Sequence, residues 1–391
     1  MLTPPKLYML DRSLRRLGPV PRYSSYVYRR SYASIGEAWT LTVPFAPGDD
    51  LSLFAPGNFL YDPDPRRPRG GIVTGLTLTE GEQDEVTVTG YPCDWLVSLR
   101  LNLRPGDDAL ARRNYGYDPV PYAGAGGAVG RVPAETALKA YAARHMTAPE
   151  DAKRRIPYLS IAPDRGRGKA LAYLAENGDR LQDTLENLCI ASGLGYEIAL
   201  AEGGMTFDIV EGRDLTRSGR RARAVVFSVS RANVSTLSYE TGNGDYKNCA
   251  YALGEELEGG LRAMLAVTQE EAVPAGTGRI ETLVDCGSLS AVETDTALSM
   301  QAKAVQELRK TAQIETVTAE AVSTERFAYL DDWDLGDVVS VDIPKYGITA
   351  DMRITGVEER YEPDDLRVVP ILGETVDSRK RLLRTIKTIS R

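Results

Sequence analysis

The sequence predicts a mainly β protein with an α+β middle region: two related antiparallel β-barrel domains accompanied by inserted α+β domains. Three observations predict this fold class. A pattern of turn glycines and strands occurs twice, far apart in the chain. Apolar and polar residues alternate over short segments in both copies, which is typical of strands with one buried face. The chain also has 20 Tyr against 6 Phe, and 36 Gly, a composition that suits turn-rich β structure and interfaces.

The repeated pattern consists of a Gly-Asn or Gly-Asp turn, a Thr-Gly dipeptide in the next strand, and a closing glycine. It stands at Gly57-Asn58, Thr74-Gly75 and Gly90, and again at Gly336-Asp337, Thr355-Gly356 and Gly373. The two copies are too far apart for a solenoid, whose repeat is about 20–50 residues long. The pattern therefore predicts a duplicated β-domain, with a chance likeness between two hairpins as the alternative.

Residues 1–107 are predicted to form the first barrel. Trp39, Leu41 and Val43 alternate with threonines and a proline, which predicts a strand with one apolar face. The segment Asp62–Gly71 contains three prolines, which lack the N–H group that a strand ladder needs. We therefore expect this segment to be an exposed loop, either a simple connection or a contact for a partner.

Residues 108–223 are predicted to form an α+β middle domain. A Pro- and Gly-rich loop at 118–130 precedes a helix from Pro133 to His145. A second helix is predicted from Asp179 to Ser192, because leucines recur at helical spacing and Gly193 follows as a C-cap. Two strands, at 195–200 and 205–210, are predicted to flank a turn at Gly203-Gly204.

The remaining residues complete the predicted architecture. Residues 224–311 are expected to form strands and a helix from Thr294 to Lys310, partly inserted into a second barrel at 312–375. Pro370 predicts that the last strand of that barrel is an edge strand or bulges. Residues 376–391 are basic, and Ser378–Arg391 has the pattern of an amphipathic helix. We expect this segment to dock on a protein partner or a neighbouring subunit, with a loosely ordered tail as the alternative.

Composition narrows the class of protein. The net charge is −8, which argues against sequence-specific or bulk nucleic-acid binding, and no apolar run approaches the length of a membrane span. The N-terminus lacks the basic and apolar form of a signal peptide, so we expect synthesis in a cytoplasm. The four cysteines, Cys93, Cys189, Cys249 and Cys286, lack metal or disulfide spacing. We expect them to be buried apolar residues.

Two glycine-rich segments approach nucleotide-binding motifs without matching them. Gly166-Arg167-Gly168-Lys169 is followed by Ala170, where a phosphate loop needs Ser or Thr to hold Mg²⁺. The glycines of 124–130 are spaced wrongly for a dinucleotide turn and follow no clear strand. We therefore predict no cofactor and no cofactor-binding residues.

The candidate catalytic and metal-binding residues also lack the spacing or the partners that a site requires. Asp331, Asp332, Asp334 and Asp337 resemble a Ca²⁺ loop in charge only, without its central glycine and terminal Glu. Asp337 is instead expected to accept a hydrogen bond in the turn that opens the strand. His145 is the sole histidine, so it has no histidine partner for a metal site, and a helix end accounts for its position. We predict no catalytic residues and no metal ligands; a carboxylate pair that meets only in the fold stays open.

Several segments, taken in order, resemble one family of proteins. The segments are 335–341, 352–357 and 372–373 at the C-terminal barrel, 246–251 and 279–285 in the middle strands, and 8–11, 39–41 and 90–100 at the first barrel. Together they look like the tail-hub proteins of tailed phages, which include baseplate hub and tail-associated proteins of a siphovirus group. The likeness covers nearly the whole chain, and the order of the parts carries it.

The resemblance implies a structural role in a virion tail tip. In such hubs, two barrels from each of three subunits form a ring of six similar modules that adapts a sixfold tail tube to a threefold spike. It implies a homotrimer that contacts the tail tube protein, the distal tail protein, the tape measure protein and a spike or fibre protein, with roles in host attachment and genome ejection. The alternative function is a tail-associated glycosidase or peptidase whose site lacks a recognisable motif.

Overall fold

The structure is a computed structural model that describes residues 4–373, with gaps at 21, 65, 67–68, 104–116, 120–131, 172–173, 177, 220–223, 243–245, 258–259, 269–274, 288–299, 302, 306, 309–310, 312–313, 322–326 and 363–364. Three predicted features therefore fall wholly or largely outside the described residues: the glycine-rich segment at 124–130, the first part of the helix at 294–310, and the basic segment at 376–391.

Strands dominate the described residues, which confirms the mainly β prediction. The N-terminal strands are β1 (Tyr8–Leu10), β2 (Arg16–Pro19), β3 (Ser25–Ser31), β4 (Trp39–Pro44), β5 (Phe59–Asp62), β6 (Arg69–Thr79) and β7 (Glu85–Pro92). The middle elements are β8 (Tyr117–Pro119), β9 (Val132–Pro133), α1 (Ala134–Ala142), β10 (Leu159–Ile161), β11 (Ala170–Leu171), β12 (Leu174–Glu176), α2 (Leu181–Ser192), β13 (Gly195–Ala201) and β14 (Gly204–Val210).

The C-terminal part adds nine strands and a helix to the described structure. They are β15 (Val226–Phe227), β16 (Val234–Gly242), β17 (Cys249–Glu256), β18 (Arg262–Thr268), β19 (Glu281–Asp285), α3 (the described residues of 300–308), β20 (Ile314–Ala321), β21 (Val338–Ile343), β22 (Ile348–Glu362) and β23 (Asp365–Gly373). Short 3₁₀ helices lie at Leu51–Phe54, Cys93–Leu99, Ala152–Arg154, Val229–Arg231, Gly276–Gly278 and Pro344–Tyr346, and a π-helical turn lies at Ala143–Thr147.

One large sheet contains strands from both ends of the chain. Among the described residues it has 13 strands, in the order β16-β20-β23-β22-β3-β4-β7-β6-β5-β1-β2, and β21 pairs with both β22 and β15. The pairs are antiparallel, apart from the parallel pair β15–β21. The described pairs do not close either segment into a barrel by itself, because β22 pairs with β3 and so joins the two segments into one sheet.

The two segments of this sheet have the same strand order. The N-terminal segment runs β1-β5-β6-β7-β4-β3, and the C-terminal segment runs β15-β21-β22-β23-β20-β16. They differ at the outer strand, because β1 is antiparallel to β5 whereas β15 is parallel to β21. The repeat that the sequence predicts is therefore present in the connectivity of the sheet.

The repeated glycines occupy equivalent positions in the two segments. Gly57 has a φ of +94° and Gly336 a φ of +90°. The amide of Gly57 donates to the carbonyl of Val73, and that of Gly336 to the carbonyl of Ile354, both at 2.8 Å. A positive φ costs a residue with a Cβ but not glycine, which explains why glycine opens both copies. The predicted equivalence of these two residues is confirmed.

The two Thr-Gly dipeptides mark the same irregularity in each segment. The β6–β7 ladder shifts register between Val73 and Gly75, and the β22–β23 ladder shifts between Ile354 and Gly356. Each shift leaves the intervening threonine outside the regular pairing, as in a β-bulge. A bulge bends and twists a strand, so both segments change direction at the same place.

The middle region packs two helices against a smaller sheet. Strands β10, β14 and β13 form this sheet, and α1 and α2 share a core cluster with it. Helix α2 ends at Ser192, with Gly193 as its C-cap at a φ of +74°, and β13 and β14 form the predicted pair. In the described part of the chain, no helix combines the length and apolar character that crossing a membrane would require.

A separate sheet lies between β16 and β20 in the chain. Its strand order is β18-β17-β19, and residues of α3 pack against its alanines in a core cluster of their own. In the N-terminal segment, by contrast, residues 32–38 alone connect the corresponding strands β3 and β4. The two segments thus share a sheet plan but carry different connections.

Two expectations about prolines need correction. Asp62 and Arg69–Gly71 are buried at the ends of β5 and β6, so only residues 63–68 connect the two strands. The exposed-loop prediction for Asp62–Gly71 was wrong at both ends, because the buried charges of Asp62 and Arg69 pair with each other. Strand β23 is not an edge strand, since it lies between β22 and β20; its ladder with β20 has no pair at Pro370.

Candidate functional site

The place where the two segments meet is the antiparallel pair of β3 and β22, which we call the junction. Its register runs from Gly356 opposite Ser31 to Tyr361 opposite Tyr26. One face of the pair is buried: it carries Tyr26, Tyr28 and Arg30 from β3, and Val357, Glu359 and Tyr361 from β22. Because successive side chains of a strand alternate between faces, Arg29 and Glu358 lie on the other face, where they form an ion pair at 2.8 Å.

A group of polar side chains is buried beneath the junction; we call Asp62, Arg69, Tyr329, Glu359 and Tyr361 the junction cluster. Arg69 contacts the carboxylate of Glu359 and donates from Nη2 to Asp62 Oδ2 at 2.7 Å. The hydroxyls of Tyr329 and Tyr361 donate to the two carboxylate oxygens of Glu359 at 2.8 and 2.7 Å. A carboxylate that is fully out of water therefore has three donors, which a buried charge requires.

The tyrosines of the junction cluster are held in the donor form. Burial raises the pKa of Tyr361, and so does the neighbouring charge of Glu359. Burial likewise raises the pKa of Tyr329, against the opposing effect of Arg30. Burial also raises the pKa of Asp62, an effect that the charge of Arg69 only partly offsets. The arrangement holds strands from both segments in one register, and we assign it no catalytic role.

The acidic residues at 331–337 do not converge on one point. Asp337 accepts from Arg213 Nη2 at 2.5 Å and from the amide of Asp334 at 2.9 Å. The second bond confirms that Asp337 closes the turn at the start of β21. The carboxylate of Asp334 in turn receives a hydrogen bond from Arg30 Nη1 at 2.9 Å.

The other two acids of that segment point to different partners. Asp332 Oδ2 accepts from the amide of Ala328 at 2.8 Å, while Asp331 is exposed and lies 3.7 Å from Arg66 Nη1. Within the described residues, no group of three His, Cys, Asp or Glu side chains has a geometry that could hold a metal ion.

The segment that approaches a phosphate loop contributes instead to a buried ion cluster. Arg167 donates from Nε to Glu135 Oε2 at 2.8 Å and from Nη2 to Oε1 at 3.0 Å, and Lys139 Nζ lies 2.8 Å from the same carboxylate. Burial alone would raise the pKa of Glu135, but the hydrogen bonds from Arg167 and Lys139 outweigh it and hold the pKa well below its usual range. Arg167 thus neutralises the negative charge of Glu135 in the first turn of α1.

His145 and the cysteines lie in the interior. His145 belongs to the π-helical turn that follows α1, is fully buried, and stacks on Tyr141 with ring centroids 6.4 Å apart. The predicted helix end is confirmed, although the residue is in the core. All four cysteines are free and buried, as the sequence predicts.

Among the edges of the large sheet that lack a partner within the described part of the chain, two correspond to the strands of the junction. Residues Gly75–Thr79 of β6 pair with β7 on one side only, and β16 pairs only with β20. The junction is formed by β22 and β3. In the sheet order, β6 is the counterpart of β22 and β16 is the counterpart of β3. An unpaired edge is a template for another strand.

The junction cluster could not be identified from the sequence. Its members come from four separate segments, and Asp62 and Arg69 lie among prolines and arginines that look solvated. The one available signal was Glu359, a charged residue between Val357 and Tyr361 on the apolar side of an alternating strand.

The chain is similar to known proteins both in sequence and in fold. A family model described as Siphovirus ReqiPepy6 Gp37-like protein matches residues 6–374. A solved tail protein from Neisseria meningitidis MC58 is 14% identical, with a TM-score of 0.55 over 95% of this chain and 98% of that chain. The 43 kDa tail protein of prophage MuSo2 from Shewanella oneidensis is 12% identical, with a TM-score of 0.57 over 95% and 99%.

A third solved structure, prophage tail protein gp18 from Listeria monocytogenes EGD-e, is 10% identical and covers 98% of this chain and 99% of that chain, with a TM-score of 0.49. No curated protein matches this chain. At these identities, the Neisseria and Shewanella structures show a shared fold over nearly the whole length of each chain.

Proposed function

Because the chain belongs to the Siphovirus ReqiPepy6 Gp37-like protein family, we propose that it is a structural protein of a phage tail, and specifically the hub of a tail tip or baseplate. The two solved proteins that share its fold are described as tail proteins. In this role the chain adapts a sixfold tail tube to a threefold spike or fibre in a phage or phage-like injection particle.

The observation that carries this proposal is the duplicated strand order of the large sheet. Two similar sheet segments per chain give six similar segments in a ring of three chains. Such a ring matches a sixfold tube on one side and keeps threefold symmetry overall, because closed oligomers are built on rotational symmetry. A single segment per chain would require six identical copies instead.

The proposed modules follow the boundaries that the sequence predicts. Residues 1–107 and 312–375 are the two barrel modules, and the second is completed by β15 and β16 from 224–311. Residues 108–223 form the middle domain, and the basic segment 376–391 docks on another subunit or tail protein. The proposed partners are the tail tube, distal tail, tape measure and spike or fibre proteins, in the virion after synthesis in the host cytoplasm.

Measuring the assembly tests this function. Native mass spectrometry of the purified full chain should give the mass of three copies, and electron microscopy should show a ring with a central channel. A strict monomer at all concentrations, or a ring of six chains with one segment each facing the channel, would exclude the adaptor role.

The enzyme alternative predicts a different result. No arrangement described above assembles a nucleophile with a base, and the buried carboxylates Glu135 and Glu359 are both committed to arginine. Incubation of the assembled protein with host cell wall should therefore release no soluble sugars or peptides. Release that is lost after heat denaturation would show an enzymatic function instead.

A further inference from the structure

The junction, in which β22 pairs with β3, shows how the equivalent strands β6 and β16 could pair between two copies of the chain. In the C-terminal segment, Gly356–Tyr361 of β22 have strand partners on both sides, β23 and β3. In the N-terminal segment, the residues that follow the matching bulge, Gly75–Thr79 of β6, have only β7. Strand β16, the counterpart of β3, likewise has one partner among the described strands. Each unpaired edge is therefore of the kind that the junction joins.

The register of the missing pair can be read from the two ladders. The bulges align Gly75 with Gly356. Counting along the two strands then aligns Leu78 with Glu359 and Thr79 with Arg360. On the other strand, Leu41 of β4 lies opposite Tyr26 of β3. Its counterpart Ala319 lies opposite Leu237 of β16. Position 26 of β3 thus corresponds to position 237 of β16.

We propose that residues 75–80 at the edge of β6 pair with residues 237–242 of β16 in a second copy of this chain. The strands run antiparallel, with Leu78 opposite Tyr239 and Thr79 opposite Ser238 of the second copy. This contact deepens the proposed hub function, and it rests on that function only for the number of copies in the ring.

The residues at the centre of the two edges, at 78–79 and 238–239, are compatible with this register. Leu78 is 49% exposed, whereas Glu359 at the corresponding position of the junction is fully buried. Leu76 and Leu78 fall on the face that carries Leu237 and Tyr239 of the second copy. The threonines of β6 fall on the other face, with Ser238. Leu78 meets Tyr239 and Thr79 meets Ser238, whereas Leu76 lies opposite Thr241 and Glu80 lies opposite Leu237. A register shifted by one residue would move Leu76 and Leu78 to the face of Ser238.

Neither edge carries a proline or a basic residue. Residues 75–80 read Gly-Leu-Thr-Leu-Thr-Glu, and Glu240 is the one charged residue in the sequence of β16. The terminal strand β2, in contrast, contains Arg16 and ends at Pro19. Edges are ordinarily blocked by charge, proline or covering segments. The contrast favours β6 and β16, rather than β2, as the edges that pair in the proposed contact.

The proposed contact is head-to-tail, because it joins different edges of the two copies. A head-to-tail contact continues from copy to copy until it closes into a ring or extends as a filament. Each copy then contributes one junction within its own chain and one contact of the same plan with its neighbour. A ring so built alternates the two kinds of strand pair.

Cysteine cross-linking tests the register directly. The variant with Thr79→Cys and Ser238→Cys places two exposed positions opposite each other across the contact. The control variant, Leu76→Cys with Ser238→Cys, is three residues out of register and places the thiols on opposite faces. Background is low because the four natural cysteines are buried. Both variants are treated with a mild oxidant or a short bifunctional thiol reagent and separated on a denaturing gel.

We expect at least a tenfold higher yield of cross-linked chains for the in-register variant than for the control. Mixing the two single-cysteine variants should cross-link them to each other, which shows that the bond joins different chains. Equal yields, or no cross-linking in a protein whose native mass shows an assembly, would overturn the contact while leaving the hub function. A ladder beyond three chains would keep the contact and exclude the trimer. A monomer without cross-linking would exclude both.

Discussion

Gly57 and Gly336 occupy equivalent positions in two equivalent turns, one in each segment of the large sheet. Each has a φ near +90° and donates its amide at 2.8 Å to the strand residue that precedes a bulge. The match extends to the pairing that follows, since Phe59 lies opposite Ile72 and Val338 opposite Arg353. Duplicated structure is thus visible at the level of single hydrogen bonds.

The two turn glycines should differ in their tolerance of alanine. A Cβ on Gly336 would lie 2.3 Å from Tyr32 Cε2, in a packed interior, whereas on Gly57 it would meet the flexible side chain of Arg12. Gly347→Ala is the control, because Gly347 has a φ of +67° with nothing near its Cβ position. We expect Gly347→Ala and Gly57→Ala to cost about 1–2 kcal/mol, and Gly336→Ala about 1–3 kcal/mol more.

Urea unfolding of the three variants measures these costs. Equal losses for Gly57→Ala and Gly336→Ala would show that Tyr32 moves aside freely, and that the contact around Gly336 does not constrain the turn.

Removing the charge of Glu359 should unfold the junction. Glu359→Leu leaves the guanidinium of Arg69 with only Asp62, and it removes the acceptor of two buried tyrosine hydroxyls. Breaking a buried ion pair from one side costs about 3–5 kcal/mol. The neighbouring Glu358→Gln removes partly exposed pairs with Arg29 and Arg360, which we expect to cost about 0–1 kcal/mol.

The free energy of unfolding in urea separates these two cases. A loss for Glu359→Leu no larger than that for Glu358→Gln would show that the junction cluster is not required for the pairing of β3 and β22.

The stability of the chain should fall in acid because of Glu135. Hydrogen bonds from Arg167 and Lys139 outweigh the effect of burial and lower the pKa of Glu135 from its ordinary 4.5. A group whose pKa is depressed in the folded state stabilises the fold above its unfolded pKa and loses that contribution as the pH falls. The melting temperature should therefore decrease from about pH 4.5 downwards.

Glu135→Gln identifies the group that is responsible. The variant should melt below the parent near neutral pH, and the difference should shrink as the pH falls below 4.5. Glu37→Gln, whose side chain is 81% exposed, should match the parent throughout. A difference between Glu135→Gln and the parent that stays constant with pH would assign the acid sensitivity to other groups.

Placing a charge on the edge of β6 should prevent assembly without unfolding the chain. Leu78 is 49% exposed in the single chain, so Leu78→Arg should leave its melting temperature near that of the parent. In the proposed contact the charge is buried opposite Tyr239 of a second copy, which is unfavourable for an unpaired cation. Analytical ultracentrifugation should show association weakened at least tenfold, a loss of about 1.4 kcal/mol or more.

Leu17→Arg is the matched control, because Leu17 is 48% exposed on the terminal strand β2. It should associate like the parent. Equal weakening by both variants would mean that added charge, rather than the β6 edge, governs assembly.

His145 should be dispensable for the role of the protein in the particle. The ring is buried beside Tyr141, so His145→Gln is expected to lower the melting temperature modestly. Phage that carry the variant should still assemble and infect at near-normal titre at a permissive temperature. Loss of infectivity in fully assembled particles would favour the enzyme alternative.

Local patterns were sufficient to predict the repeat, and long-range pairing was not. Gly57, Gly336 and the two Thr-Gly dipeptides were identified because turns and bulges depend on residues that are adjacent in the chain. The pairing of β3 with β22 joins positions from opposite ends of the chain. No pattern in the sequence of either strand indicates which strand it pairs with. Nothing in the sequence shows that Arg69 reaches Glu359 rather than water.

The separate sheet between β16 and β20 has a consequence for the descent of this protein. Six identical subunits must all change together, because one gene encodes every position of their ring. A chain that holds two fused copies is free of that constraint, and one copy can gain an insertion while the other keeps the short connection at 32–38. In the proposed ring of three chains, every second sheet segment would then carry the added module, so the insertion would mark threefold order on a ring of six similar segments.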